Sequence, residues 1–97
     1  MGGTKHCTVA CALPGRQYLW PVTLPDAATV ADLLRQAHAQ AAARGEDGQV
    51  PWESDSIGIF GEACRREDVP RDGDRVEIYR ALINDPRASR RARARQR

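Results

Sequence analysis

The sequence contains no long apolar run. None of its stretches approaches the roughly 20 consecutive apolar residues that a helix needs to cross a membrane. No apolar segment of the kind found in a secretory signal follows the N-terminal residues Met1–His6. Both absences predict a cytoplasmic chain without a membrane span.

Cysteine is scarce and lacks the spacing of a metal site. The chain has three cysteines, Cys7, Cys11 and Cys64. On a strand, Cys7 and Cys11 would lie about 13 Å apart on one face, too far for a disulfide. We therefore expect three core thiols in a reducing compartment and no bound metal.

Catalytic groups are equally sparse. The only histidines are His6, at the start of a predicted strand, and His38, which is expected to be solvated on the helix. Cys7 follows His6 directly, so the two side chains would point to opposite sheet faces, away from a nucleophile–base pair. No phosphate-binding loop occurs, and the acidic residues between Glu46 and Asp55 are read as a solvated loop. The sequence predicts a protein that is not an enzyme and has no cofactor or small-molecule substrate.

Two alternating segments open the chain. Residues His6–Ala12 place Cys7, Val9 and Cys11 on one face, and residues 17–24 alternate likewise around Trp20. Pro14 and Gly15 punctuate the turn between them. Because Pro21 cannot donate to a ladder, the second strand of this hairpin is expected at a sheet edge.

A helix of about fifteen residues follows. Thr29 is a good N-cap, Asp32 occupies the capping-box position, and Gly45 suits the residue after the C-cap. The apolar positions lie on one helical face: Val30, Leu33, Leu34, Ala37 and Ala41.

Further strands follow the helix. Residues 56–60 and Arg75–Arg80 read as strands, with a short element between them; Trp52 and Cys64 are expected to contact the core. Strand, strand, helix, strand, short element, strand is the order of an α+β, β-grasp (ubiquitin-like) fold. It predicts a mixed four- to five-stranded sheet packed on one helix, with the first and last strands parallel at its centre. One domain is expected over residues 1–86, with a basic tail, disordered or frayed, over residues 87–97.

Charge divides the chain unequally. Residues 1–83 have nine Lys/Arg and twelve Asp/Glu, a net charge of −3, whereas residues 84–97 have six Arg and one Asp, a net charge of +5. The tail could contact phosphates in an RNA or ribosome, weakly and with little sequence preference, because no aromatic residue accompanies the arginines. These arginines are Arg87, Arg90, Arg91, Arg93, Arg95 and Arg97.

The string Asp72–Arg80, followed by Leu82–Ile83 and Asp85–Pro86, resembles the RnfH family of small bacterial ubiquitin-like proteins. The shorter pieces Val22–Leu24 and Ile57–Phe60 agree with it, and the resemblance covers about residues 7–91. The chain departs from the family pattern at Ala81, where Pro is common, in its 46–55 loop and in its arginine-pure tail.

That resemblance implies binding and no catalytic residue. The family is named for genes neighbouring those of a membrane electron-transport complex. Other members accompany a START-like protein described as a ribosome-associated toxin and have been called its antitoxins. A subunit of such a complex and such a toxin are therefore the partners that the resemblance implies.

A sulfur carrier of this fold would end in Gly-Gly directly after the last strand. Here Gly2–Gly3 lie at the opposite end. We therefore interpret the chain as a protein-interaction module, an adaptor or antitoxin-like partner. Its predicted binding surface is the sheet face that the helix leaves uncovered, with Leu19, Arg75, Glu77 and Tyr79. RNA or ribosome binding through the tail and an accessory role in electron transport are the alternatives.

Overall fold

A computed structural model describes residues 3–79. The predicted domain boundary at residue 86, the six tail arginines and the end of the last predicted strand at Arg80 lie outside these residues. The described elements are β1 (Thr4–Leu13), β2 (Arg16–Pro25), α1 (Val30–Ala43), β3 (Ile57–Ile59), β4 (Glu62–Ala63) and β5 (Arg75–Ile78).

These elements form the predicted α+β architecture. The five strands form one mixed sheet in the order β2-β1-β5-β3-β4, and β1 and β5 pair in parallel near its centre. β2 is an edge strand, as Pro21 predicts. The β-grasp arrangement and the predicted sheet topology are confirmed.

The helix begins and ends at the predicted signals. The Thr29 side chain accepts a hydrogen bond from the Asp32 backbone N–H, and the Asp32 carboxylate accepts one from the Thr29 N–H, which completes a capping box. These hydrogen bonds, with a smaller contribution from Arg35, hold the pKa of Asp32 below its usual value. Gly45 follows the C-cap with φ 72°.

One sheet face and the apolar stripe of α1 enclose the core. On β1 and β2 every second side chain is buried there, and β5 adds Val76 and Ile78. All three cysteines are buried, as expected. The main core side chains are Cys7, Val9, Cys11, Trp20, Val22, Leu24, Val30, Leu33, Leu34, Ala37, Val76 and Ile78.

A lysine also lies inside this layer. Lys5, which precedes the predicted start of the first strand, is only 2% exposed. Its ammonium group donates to the carbonyls of Asp26, Ala28 and Pro70 at 2.6, 2.8 and 2.7 Å. Because all three N–H donors are used, the buried charge is compensated. Lys5 thereby ties the start of β1 to the segment before α1 and to the loop before β5.

The loop after α1 contacts both the helix and the core. The His38 ring stacks on Trp52 at 4.5 Å between ring centroids, but its side chain is still 48% exposed, as predicted. Trp52 in turn packs beside Trp20 at 5.1 Å, as its predicted contact with the core requires. Glu46, read as part of a solvated acidic loop, accepts a 2.9 Å hydrogen bond from Trp20 Nε1. The loop therefore closes one end of the core.

Candidate functional site: the open face of the sheet

α1 packs against one face of the sheet, so the other face is left open by the helix. On this open face lie Thr8, Ala10 and Ala12 of β1, which alternate with the core residues of that strand. Leu19 of β2 and Glu77 of β5 pair with Ala10 from its two sides. A small side chain thus separates an exposed apolar residue from an acidic one.

Three polar side chains are connected along β5 and just beyond it. The Tyr79 hydroxyl donates to Glu77 Oε1 at 2.9 Å, and an Arg75 terminal nitrogen lies 3.4 Å from Glu77 Oε2. The side chains of Arg75 and Glu77 are 40% and 25% exposed. Arg75 Nε is buried and has no hydrogen-bond partner within residues 3–79. The guanidinium is thus oriented by Glu77 while part of its donor capacity is unused.

Gly58 gives Tyr79 the space to lie across β3. A Cβ atom at this position would come within 2.8 Å of the Tyr79 hydroxyl and 2.7 Å of the Glu62 carbonyl oxygen. Gly58 pairs with Glu77 across the β3–β5 ladder. The absence of a side chain there lets Tyr79 reach the carboxylate of Glu77.

A shallow depression of about 210 Å³ lies along these residues. Its lining is contributed by β1, β2, β5 and the residue after β5: Ala10, Ala12, Gln17, Arg75, Glu77, Ile78 and Tyr79. Its lining combines small side chains with larger polar ones. It is a surface feature of the kind that receives a side chain of a docked partner.

An exposed phenylalanine, Phe60, lies next to Arg75 in the turn between β3 and β4. The sequence interpretation did not identify it as a candidate contact residue. Phe60 is 64% exposed and has φ 50°; with Gly61 at φ 87° it forms the two-residue turn between β3 and β4. Both positive φ values indicate a type I′ turn, where Asn-Gly is the preferred pair. Phe60 donates its backbone N–H to the Arg75 carbonyl at 3.3 Å. Gly61 is a local sequence signal for a turn, but it does not indicate that the turn begins at Phe60.

The structure brings three of the four predicted site residues together. Arg75, Glu77 and Tyr79 form the connected chain, whereas Leu19 lies two strands from Glu77, beyond Ala10. Leu19 is 51% exposed. Leu19 lies two strands from β5 on one side, and Phe60 follows β3, the strand that neighbours β5 on its other side. The docking role of Leu19, Arg75, Glu77 and Tyr79 stays a prediction.

Cys7 and the histidine that precedes it lie on opposite faces of the sheet. Burial raises the pKa of the Cys7 thiol, which opposes formation of a thiolate, and its Sγ lies 3.4 Å from the Arg71 carbonyl. His6, next in sequence, is exposed on the other face beside Asp72. Within residues 3–79 no group of three or more His, Cys, Asp or Glu side chains is placed to hold a metal ion. Over the same residues, no helix is sufficiently long and apolar to traverse a bilayer.

Comparison with known proteins gives a family. The model of the RnfH family of ubiquitin-like proteins matches residues 6–93. Protein RnfH of Escherichia coli O45:K1 is 42% identical over 94 residues, which cover 97% of this chain and 94% of that protein. Protein RnfH of Salmonella newport is 44% identical over 86 residues, which cover 89% and 85% of the two chains. With the β-grasp sheet already described, these matches establish that the chain belongs to the RnfH family.

Proposed function

We propose that this chain is a non-enzymatic protein-interaction module that docks a partner protein on the open face of its sheet. The observation that carries the proposal is the set of connected side chains Arg75, Glu77 and Tyr79. Two exposed apolar residues, Leu19 and Phe60, belong to the strands or turns on either side of β5. None of these five side chains is needed to fill the core.

The composition of this surface suits a docked protein. Arginine and aromatic residues contribute most to binding at protein interfaces, and Arg75 and Tyr79 are held in place by Glu77 before any partner arrives. Such preorganisation lowers the entropy cost of association. The exposed guanidinium of Arg75 favours a partner that presents a carboxylate, because its terminal nitrogens have more N–H donors than the contact with Glu77 uses.

Two kinds of partner follow from the family resemblance. One is a START-like toxin, for which the chain would act as an antitoxin-like partner. The other is a subunit of a membrane electron-transport complex, for which it would be an accessory protein. The third possibility, RNA or ribosome binding through the tail, depends on the six arginines of residues 87–97, which lie outside the described residues.

Affinity purification from native lysate tests the proposal. Four tagged proteins are compared after nuclease treatment: the full chain, a chain ending at Asp85, and two double variants. Leu19→Ser with Arg75→Glu alters the open face. Val69→Ser with Arg71→Glu makes the same chemical changes in the loop between β4 and β5, where both residues are exposed.

We expect one protein to be retained by the full chain, the shortened chain and the loop variant. The open-face variant should retain at least about tenfold less of it, since two contact residues are altered. The identity of that protein distinguishes the toxin from the electron-transport subunit. Recovery of ribosomal proteins or RNA by the full chain alone, abolished by nuclease, would instead support the tail and contradict open-face docking.

A further inference from the structure

The prolines of β2 fix which of its backbone groups point away from the sheet. Along a strand of an antiparallel pair, the residues alternate. One residue exchanges N–H···O=C hydrogen bonds with the neighbouring strand, and the next directs its N–H and C=O groups away from that strand. Pro21 has no N–H and pairs with Thr8; Pro25 pairs with Thr4. Both prolines therefore suit outward positions. The Thr8 N–H supports this assignment, because it points away from β2 and donates to the Asp74 carbonyl, just before β5, at 3.0 Å.

The same alternation makes Gln17, Leu19 and Thr23 the residues of β2 whose N–H and C=O groups point outward from the sheet edge. The edge is closed at its middle, because Pro21 offers no N–H and its carbonyl accepts a 2.7 Å hydrogen bond from Gln40 Nε2. The segment Gln17–Leu19 lies between this closed position and the hairpin turn. It presents two N–H and two C=O groups in the spacing of a strand.

The open segment of β2 also has a positive charge next to it and no acidic residue within the strand. Arg16 is the only charged residue in β2, and the described ion pairs do not include it. Its guanidinium donates to the Tyr18 hydroxyl at 3.0 Å, which leaves other donors available. Beside this segment, on the helix side of the sheet, lies a depression of about 370 Å³ lined in part by Arg16, Tyr18 and Glu46. Glu46 adds a carboxylate to this lining, and its Oε1 accepts a hydrogen bond from Trp20 Nε1.

We propose that the edge of β2 at Gln17–Leu19 binds an extended peptide segment by strand addition. The peptide carries an acidic side chain that enters the depression and contacts Arg16. The peptide residues before and after this acidic residue direct their side chains to the open face of the sheet. An apolar side chain is favoured there because it can contact Leu19. Backbone hydrogen bonds supply the affinity of such an interaction and the alternating side chains supply its selectivity.

A second copy of this chain is a poorer occupant of the same edge. Because β2 contains no Asp or Glu, a paired copy of β2 would supply no carboxylate to Arg16 and would bring a second guanidinium to the same edge. Each copy would also bring its own closed position at Pro21 next to a three-residue open segment. A short acidic peptide satisfies both the backbone groups and the charge.

A displayed library of random twelve-residue peptides, selected on the immobilised full chain, tests the proposal. We expect selected peptides with an acidic residue and no central proline. In NMR spectra with a synthetic copy of one of them, the amide protons of Gln17 and Leu19 should exchange more slowly with solvent. The amides of Tyr18 and Trp20 serve as the internal control, because they already face β1.

Two proline substitutions form the matched pair. Gln17→Pro removes an outward N–H within the open segment and should weaken peptide binding at least about tenfold. Thr23→Pro removes an outward N–H beyond the closed position and should leave binding within about twofold. Neither removes a hydrogen bond of the β1–β2 ladder. Arg16→Gln, which keeps the backbone intact, should also weaken binding severalfold.

Several results would overturn the proposal: no selected peptide, equal binding to Gln17→Pro, slowed exchange at residues outside β2, or a dimer in sedimentation that Gln17→Pro dissociates. The last result would assign the edge to a second copy. Arg75→Glu separates this proposal from docking on the open face, because it should leave peptide binding unchanged. Each proposal can therefore fail without the other.

Discussion

The two faces of the sheet use charged residues in opposite ways. On the covered face, Lys5 is 2% exposed and all three of its donors are taken by carbonyls of the chain. On the open face, the Arg75 side chain is 40% exposed, and one of its terminal nitrogens lies 3.4 Å from Glu77 Oε2. One cation connects segments of the fold, whereas the other has exposed N–H donors that our proposal assigns to a partner. Saturation of donors thus distinguishes a structural charge from one available for binding.

The largest expected effect is on the covered face. Lys5→Met keeps most of the side-chain volume but leaves three carbonyls, one part-buried and two in buried hydrogen bonds, without their donor. We expect a loss of about 3–5 kcal/mol in the free energy of unfolding. Urea denaturation measures it. His6→Ala, at the next position and exposed on the other face, is the control and should change stability by less than about 0.5 kcal/mol. A loss below about 1 kcal/mol for Lys5→Met would show that water can replace the ammonium.

Two leucines of β2 compare the faces directly. Leu24 is 4% exposed on the covered face, and Leu19 is 51% exposed on the open face. Leu24→Ala should lower the free energy of unfolding by about 2–5 kcal/mol, because it leaves a cavity in the core. Leu19→Ala should change it by less than about 0.5 kcal/mol and weaken partner binding instead. Similar losses in urea denaturation for the two variants would mean that the open face is covered within the folded chain.

Much of this contrast between the faces could be predicted from the sequence. Alternation along β2 separates Leu19 from Trp20, Pro21 places the strand at an edge, and Thr29 with Asp32 starts the helix. These signals are local, and each depends on a few neighbouring residues. They determine the secondary structure and which face of each strand is buried, from which the β-grasp order follows.

The remaining features depend on residues distant in sequence. Lys5 is a buried lysine only because carbonyls of residues 26, 28 and 70 converge on it, which no local pattern indicates. The stacking of His38 on Trp52 depends on the course of the loop that contains Trp52. Phe60 reads as the end of an apolar strand, and only its pairing geometry makes it the first residue of a turn. Within the candidate site, residue type and strand phase predicted the face, but the link from Tyr79 to Glu77 required Gly58 opposite.

Phe60 gives the smallest expected change in stability and the sharpest test of the open face. A side chain other than glycine is strained at φ 50°, and asparagine tolerates this conformation better than phenylalanine. Phe60→Asn should therefore raise the free energy of unfolding by about 0.5–1 kcal/mol in urea denaturation. Val69→Asn is the control: Val69 is 55% exposed, and Phe60 is the only residue other than glycine with positive φ within residues 3–79. We expect no gain at Val69.

The same Phe60→Asn variant should retain less of the partner in affinity purification than the Val69→Asn control. Greater stability together with weaker binding would mean that the chain keeps a strained aromatic residue for contact with a partner, because the fold alone would be better served by asparagine. A loss of stability in Phe60→Asn would contradict this interpretation, since it would show that the Phe60 ring packs within the fold. The sign of one small free-energy change therefore decides whether the apolar residue on the β3 side of the open face serves the fold or its partner.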